Sequence, residues 1–399
     1  MLDSFPSLLV ATEFPPNASG GGPAVLRQML RNWPVDRLFW WSCFPERDAR
    51  FGQRVAAHRV ATIPRGFYPS RKLPRTRSWI LEQIWALWAT RHLRQTLRAF
   101  RPEVVWVVPH NWAVPPLAAA LPQAGVRFHT TVQDYVDTLT NTCRFGRPRV
   151  ARMAALADLL YSKAATRDAT SHPMAADLAA RTGSHAVQIL HAGLEPDEFD
   201  FLATKTNGTG AELGIAHAGT IIVEQEFAQF VGALSRIRDR LFAPVYIELF
   251  GSHSYRSRTW FDPSWMREHG DLAAPALATA LRQCTWGFSP MSLIDRDPRY
   301  NRFSFPTKFI SYLAAGLPVI ALGHPESSLM KMAQSYGLGV CLTQGDPDWL
   351  AQQLLAALSN RNPLTTFREE MLRCGRTEFD ADRTRKVLYD CLRNRPPAS

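Results

Sequence analysis

Short, wholly apolar runs recur along the chain and alternate with longer segments whose apolar positions return every three or four residues. In the first half, Leu8-Leu-Val-Ala-Thr12, Leu38-Phe-Trp-Trp-Ser42, Val60 to Ile63, Glu103-Val-Val-Trp-Val-Val108 and Arg127 to Val132 read as buried strands. Between them, helical spacing predicts a helix opened by Pro23 (Val25, Leu26, Met29, Leu30), a long one over 78–100, and others over 113–122, 149–165 and from Pro173. The alternation restarts in the second half. Strands are expected at 214–220, 245–250, 285–290, 319–322 and 338–342. Helices are expected at 224–240, 272–283, 326–336, 349–358, 363–375 and 380–394. Strand followed by helix, repeated twice over, predicts the α/β class with two doubly wound parallel sheets.

Composition agrees with two folded bodies. The chain has 399 residues, 46% of them hydrophobic and 20% charged, enough for two full cores. The polar, Gly-rich stretch around Asn207-Gly-Thr-Gly210 is the natural linker. Domains are therefore expected over 1–200 and 214–379, with a linker over 201–213. The six cysteines form no CxxC pair and no cluster with histidine, which predicts reduced thiols and no metal centre. Residues 1–10 lack the basic start of a signal peptide. No run reaches the roughly 18–20 apolar residues that span a bilayer. A cytoplasmic protein is expected, soluble or peripheral on the inner membrane face.

The net charge of +11 is carried mostly by arginine. It reads as base composition, as attraction to an anionic membrane surface, or as nucleic-acid binding. The arginines are dispersed through helices and accompany no nucleic-acid motif, so no nucleic-acid partner is expected. The 78–100 helix carries Ile80, Leu81, Ile84, Trp85, Leu87, Trp88, Leu93 and Leu97, and an irregular basic segment (Arg65, Arg71, Lys72, Arg75, Arg77) precedes it. It is either a core helix or, in part, a membrane-docking face.

Candidate chemistry gathers at strand ends. The Phe303–Gly323 stretch reads as a loop, a helix opened by Pro306, a Gly316 cap and a buried strand. Free amides over Thr307 to Phe309, with Lys308 beside them, form an anion site. Gly20-Gly21-Gly22 ahead of Pro23 is a second place where backbone can approach an anion, or simply a turn. His110 and Asn111 follow the 103–108 strand and are cleft candidates or loop packing. Arg299 and Arg302, in a charged stretch, are candidates for phosphate contact.

Pro306-Thr-Lys-Phe-x-x-Tyr-Leu-Ala-Ala-Gly-x-Pro-Val-Ile-Ala321 resembles the donor-binding segment of GT-B glycosyltransferases, most closely the retaining family 4. The Pro15-Pro16 and Gly20–Gly22 loop resembles that family's "PP…GG" loop, and Val187 to Phe199 resembles the motif closing its first domain. The resemblance implies two Rossmann-like domains facing across a cleft, with the 380–399 segment packing back on the first. It implies transfer of a sugar from a nucleotide-diphosphate sugar to an acceptor hydroxyl, with no further cofactor. The acceptor would be a saccharide or a lipid-linked molecule of cell-envelope synthesis. Donor contacts would fall on Gly20, Gly21, Gly22, Gly219, Thr220, Ser289, Arg302, Phe305, Pro306, Thr307, Lys308 and Ser311. Asp134 and Lys308 would be catalytic, and His110, Asn111 and Gln133 acceptor-side. The chain departs from the family at several points, among them His191 and Ala192 where the closing motif has Pro and Asn. Gln133 replaces a His, and a glutamine cannot exchange a proton near neutral pH. Positions 303 and 311 hold Phe and Ser where the family often has glutamates. No Arg or Lys lies in 220–225. A GT-B protein that no longer catalyses and serves as a membrane assembly partner is the alternative these departures leave open.

Overall fold

The computed structural model describes residues 5–18, 20–46, 54–64, 75–206 and 212–393. Residues 65–74 of the basic segment and the glycine-rich stretch 207–211 lie outside them. The described residues up to His191, with Asp297–Ser304 and those from Arg383 onward, form one compact unit. Ala192–Arg296 and Phe305–Asp382 form a second.

The first unit is built on seven parallel strands: β1 (Leu8–Ala11), β2 (Leu38–Ser42), β3 (Ala57–Val60), β4 (Val104–Val107), β5 (Arg127–Val132), β6 (Thr166–Ala169) and β7 (Gln188–Ile189). Their order is β3-β2-β1-β4-β5-β6-β7. Leu8 pairs with Leu38 on one side and Val104 on the other. The chain reverses winding between β1 and β4, the place where open α/β sheets collect ligands at their carboxyl edge. Trp40, Trp41 and Trp106 are fully buried in this sheet. All four residues of β1 and of β4 are buried, as expected for strands covered on both faces.

The second unit holds six parallel strands: β8 (Leu213–Ala218), β9 (Val245–Phe250), β10 (Met266–Gly270), β11 (Trp286–Pro290), β12 (Val319–Leu322) and β13 (Gly339–Leu342). Their order is β10-β9-β8-β11-β12-β13, so β8 and β11 flank its switch point. Phe230 stacks on Phe288 with ring centroids 3.7 Å apart, at the centre of a core that includes Phe227 and Trp286.

Several boundaries differ from the sequence reading. Strand β3 sits three residues earlier than expected, and Gly21, not Pro23, starts the first helix, Gly21–Met29. Strands β6, β7 and β10 had no clear apolar run; β10 pairs only with β9 at the sheet edge and exposes Arg267, Glu268 and His269 or leaves them half-buried. The expected linker begins inside a helix, Pro196–Thr204, whose capping box joins Glu195 to Glu198. Leu202 is fully buried there. The charged stretch before the donor segment leaves the second unit and joins the first, with a short helix at Pro298–Asn301. The last helix, Ala381–Leu392, serves the first unit: Arg127 donates to the Cys391 carbonyl at 2.6 Å, and Tyr389 packs edge-on against Trp33.

The long helix Arg75–Phe100 divides the expected apolar positions between two faces. Trp85, Ala89 and Leu93 are buried. Trp79, Ile80, Ile84, Leu87 and Trp88 are exposed, Ile84 to 62% and Leu87 to 69%. Glu82 is its only acidic residue and lies buried against Arg149.

Candidate functional site

In the second unit, β8 ends in Ala218, and Gly219 turns the chain with φ 86°, a conformation glycine adopts without strain. Thr220 follows, its hydroxyl 3.3 Å from His253 Nδ1, and the Ile221 amide donates to the Tyr255 hydroxyl at 2.9 Å. Across the switch point, β11 brings Gly287 and Ser289 to one face, because alternate residues of a strand share a side. A Cβ at Gly287 would lie 2.4 Å from the Tyr312 ring, so glycine is what lets the helix Thr307–Ala314 lie close to the strand. Ser289 is fully buried, and its hydroxyl has no hydrogen-bond partner.

That helix is capped as its sequence suggests. Pro306 precedes it in extended conformation. At its other end Gly316 (φ 66°) completes a Schellman motif: Leu317 N–H donates to Tyr312 O at 2.8 Å and Gly316 N–H to Leu313 O at 2.9 Å. The start differs from expectation in one respect. The Phe309 amide donates to the Pro306 carbonyl at 3.0 Å and is not free, which narrows the anion-facing amides to Thr307 and Lys308. Phe305 is buried against Phe309 and Phe379, so its ring serves packing. Ser311 lies one turn beyond Thr307 on the same helix face.

Lys308 Nζ lies 3.4 Å from Nε2 of His217, a fully buried residue of β8. Burial lowers the Lys308 pKa to about 8. Burial, with the neighbouring Lys308 charge second, holds the His217 pKa well below its ordinary value. The site therefore combines a cation, two amides at a helix start and a glycine turn at one switch point, a set that suits an anion.

The first unit presents a different chemistry. Gly20 (φ 107°) precedes the helix, and Gly21 and Gly22 form its first turn. A Cβ at Gly22 would come within 2.5 Å of Gln133 Oε1, and Gln133 Nε2 lies 3.4 Å from the Gly22 carbonyl. The glycine loop and the end of β5 are thus in contact. Arg27 braces the loop by donating to the Ala18 carbonyl at 2.7 Å. His110 follows β4, its Nδ1 2.5 Å from Glu13 Oε2, while Glu13 Oε1 accepts from the Trp112 amide at 3.2 Å. Burial opposes charge on His110, but the Glu13 carboxylate, and then Asp134, raise its pKa overall. Asp134 follows β5. Burial raises its pKa against the lowering effects of His110 and of Ser304, whose hydroxyl donates to Asp134 Oδ1 at 2.7 Å. Asn111 adopts φ 34°, and its side-chain oxygen accepts from Asn141 Nδ2 at 3.2 Å. His110, Asn111, Gln133, Asp134 and Gly20–Gly22 therefore share the carboxyl edge of one sheet.

The two arginines proposed for phosphate contact both lie in the first unit. Arg299 is engaged by Asp137 at 3.2 Å and Asp177 at 2.7 Å, and its guanidinium lies over the Tyr135 ring. Arg302 is exposed and belongs to the first unit, whereas Thr307 and Lys308 belong to the second. Sequence reasoning missed Glu13, His217 and Ser304. The first two are titratable residues at the carboxyl ends of buried strands, a position that could have marked them. Ser304 carries no such signal.

No protein-family profile matches the chain, and no curated protein matches it by sequence. Its structure resembles many solved ones. Sucrose-phosphate synthase of Thermosynechococcus elongatus superposes with a TM-score of 0.67 at 12% identity, covering 97% of this chain and 98% of that one. HepE of Anabaena, solved in complex with UDP-glucose, gives 0.65 at 13% identity over 97% and 99%. WaaG, a glycosyltransferase involved in lipopolysaccharide biosynthesis, gives 0.63 at 11% identity over 96% and 99%. At such identities the likeness establishes the fold. This chain has the GT-B fold over its whole described length.

Proposed function

We propose that this protein is a glycosyltransferase that moves a sugar from a nucleotide-diphosphate sugar to an acceptor hydroxyl. The observation that carries the reading is the second unit's switch point, where Lys308, the Thr307 amide and the Gly219 turn converge. The GT-B fold, and UDP-glucose in a structural neighbour, support a nucleotide sugar as the anion. The acceptor oxygen forms a bond to the anomeric carbon as the bond from that carbon to the diphosphate breaks. Negative charge then develops on the departing diphosphate, and Lys308 with the helix start stabilises it. Thr307, Pro306, Ser311, Thr220 and Ser289 complete the donor side in this reading. In the first unit, His110, raised by Glu13 against burial, and Asp134, raised by burial, hold or pass the acceptor proton, with Asn111 and Gln133 binding hydroxyls. Retention of the anomeric configuration follows from the family-4 resemblance. A saccharide or lipid-linked acceptor of the cell envelope is the corresponding acceptor class.

A thermal-shift screen against UDP-, GDP- and dTDP-sugars tests this. A bound donor raises the melting temperature by mass action. No shift with any of them, together with no hydrolysis or transfer, would leave only a non-catalytic GT-B protein.

A membrane-surface partner belongs to the same reading and rests on its own observation. The exposed face of the Arg75–Phe100 helix carries Ile80, Ile84, Leu87 and Trp88 between Arg77 and Arg91, with no acidic residue exposed. Apolar anchors with arginines at both ends fit an anionic interface. No helix among the described residues is long and apolar enough to cross a membrane. Cosedimentation with phosphatidylglycerol-containing vesicles at low salt is expected, lost on Ile84→Glu/Leu87→Glu. Equal binding by this variant removes the membrane partner.

A further inference from the structure

His217 is an unusual neighbour for a lysine. It is fully buried in β8, with its ring edge-on to Phe227 at 5.2 Å. Burial, and then the Lys308 charge, keep the ring neutral, against the backbone of Phe288 and that of Thr220, which both favour a proton on it. Nδ1 lies 3.2 Å from the Phe288 carbonyl, which can only accept, so Nδ1 is the donor. Nε2 is then left with its lone pair, and 3.4 Å away is Lys308 Nζ. The Phe288 carbonyl is itself held in place. The Tyr312 hydroxyl donates to it at 3.0 Å and accepts from the Ala218 amide at 2.9 Å. A continuous relay therefore runs from the β8 backbone through Tyr312, Phe288 and His217 to the Lys308 ammonium.

We propose that His217 is a positioning residue for Lys308: its Nε2 accepts from the ammonium and holds it at the start of the Thr307–Ala314 helix, where it meets a diphosphate. The inference rests on the donor-binding reading above and adds a residue to it. A lysine side chain has four rotatable carbons and a strongly hydrated head. Beside two helix amides it needs an acceptor that is not an anion, because a carboxylate there would neutralise the site. A neutral imidazole meets that need, and burial keeps it neutral. A hydrogen bond to the charged form also favours the ammonium over the free amine.

The test uses the full chain, inorganic pyrophosphate and UDP as probes, and calorimetry. His217→Gln places an amide group near the position of Nε2. His217→Asn keeps a group able to bond the Phe288 carbonyl but removes the acceptor facing Lys308, and His217→Phe removes both. The expected result is pyrophosphate and UDP binding about tenfold weaker in the Asn and Phe variants and largely restored in Gln. Titration of ¹³C-labelled lysines, of which the chain has six, gives a second readout without any ligand. The Lys308 signal, identified by its loss in Lys308→Ala, should titrate at lower pH in Asn and Phe and near the parent value in Gln. The Asn variant covers the case in which Phe fails to fold. Unchanged affinity and unchanged Lys308 titration in the Asn variant overturn the proposal. If the parent protein binds neither probe, the donor reading fails, and the lysine titration alone then decides the role of His217.

Discussion

The Ser304 hydroxyl donates to Asp134 Oδ1 at 2.7 Å, joining residues 170 positions apart. The segment that carries Ser304 is fastened throughout. Asp297 accepts from the Leu139 amide at 2.7 Å, Ser171 donates to the Phe303 carbonyl at 2.6 Å, and Phe303 packs edge-on to Tyr135. Two residues after Ser304 comes Pro306, where the anion-facing helix begins. The hydrogen bond favours the ionised form of Asp134, so it lowers a pKa that burial raises. Ser304→Ala is therefore expected to move the Asp134 pKa further up. If activity needs the carboxylate, the acid limb of the pH–rate profile shifts to higher pH, with little change on the alkaline side. An unmoved acid limb would separate Asp134 from the rate.

Two glycines give opposite expectations for alanine. At Gly22 the new methyl meets the far end of Gln133, a flexible side chain that can swing away. Stability should change by under about 1 kcal/mol, while activity falls several-fold because the Gln133 amide is displaced from the site. At Gly287 the methyl meets Cγ and Cδ2 of Tyr312 at 2.4 Å, and that ring is held by hydrogen bonds at its hydroxyl. Overpacking there is expected to cost about 1–3 kcal/mol in denaturant unfolding. It should also weaken nucleotide binding, because Lys308 sits one helical turn from Tyr312.

The strand and helix alternation was legible because buried parallel strands are apolar on both faces, as in Val104–Val107 and Val319–Leu322. The Pro306 start and Gly316 stop were legible because their backbone chemistry is local. Edge strand β10 was not, since its outer side is solvated and its residues are charged. The engagement of Arg299 by Asp137 and Asp177 was not either, because those partners lie more than a hundred residues away. The same holds for His217. Its spacing from Gly219 was visible, but only the packing of the Thr307–Ala314 helix on β8 and β11 brings Lys308 to it.

The long helix offers a stability test independent of the site. Glu82 and Arg149 form an ion pair with both side chains nearly inaccessible, and the Arg149 guanidinium lies over Phe145 and Trp112. Burial raises the Glu82 pKa and lowers that of Arg149, each opposed by the partner. Removing one partner leaves the other charge buried and unpaired. Glu82→Gln is expected to destabilise the first unit by about 3–5 kcal/mol, whereas Glu82→Met with Arg149→Leu recovers most of that loss. Chemical denaturation of the three proteins checks it. A small effect from the single change would mean that water reaches the pair.

The last expectation concerns pH and ligand binding together. Lys308 titrates near 8 because burial penalises its charge, so the ammonium is present below that pH and lost above it. Diphosphate affinity should be flat up to neutral pH and fall as pH rises through about 8, by about tenfold or more once the amine is neutral. Bound diphosphate attracts the proton, so the Lys308 pKa in the complex lies above 8 and binding near that pH takes up protons. Calorimetry of UDP binding in buffers of different ionisation enthalpy measures that uptake directly. Lys308→Ala should bind weakly at neutral pH, show no fall between neutral pH and 9, and take up no proton. The same alkaline fall in Lys308→Ala would assign it to another group, with Lys205, also lowered to about 8 by burial, the first to examine. Lys205 is the less suitable candidate, because its ammonium donates to the Ala315 carbonyl at 2.8 Å, at the opposite end of the helix from the Thr307 and Lys308 amides.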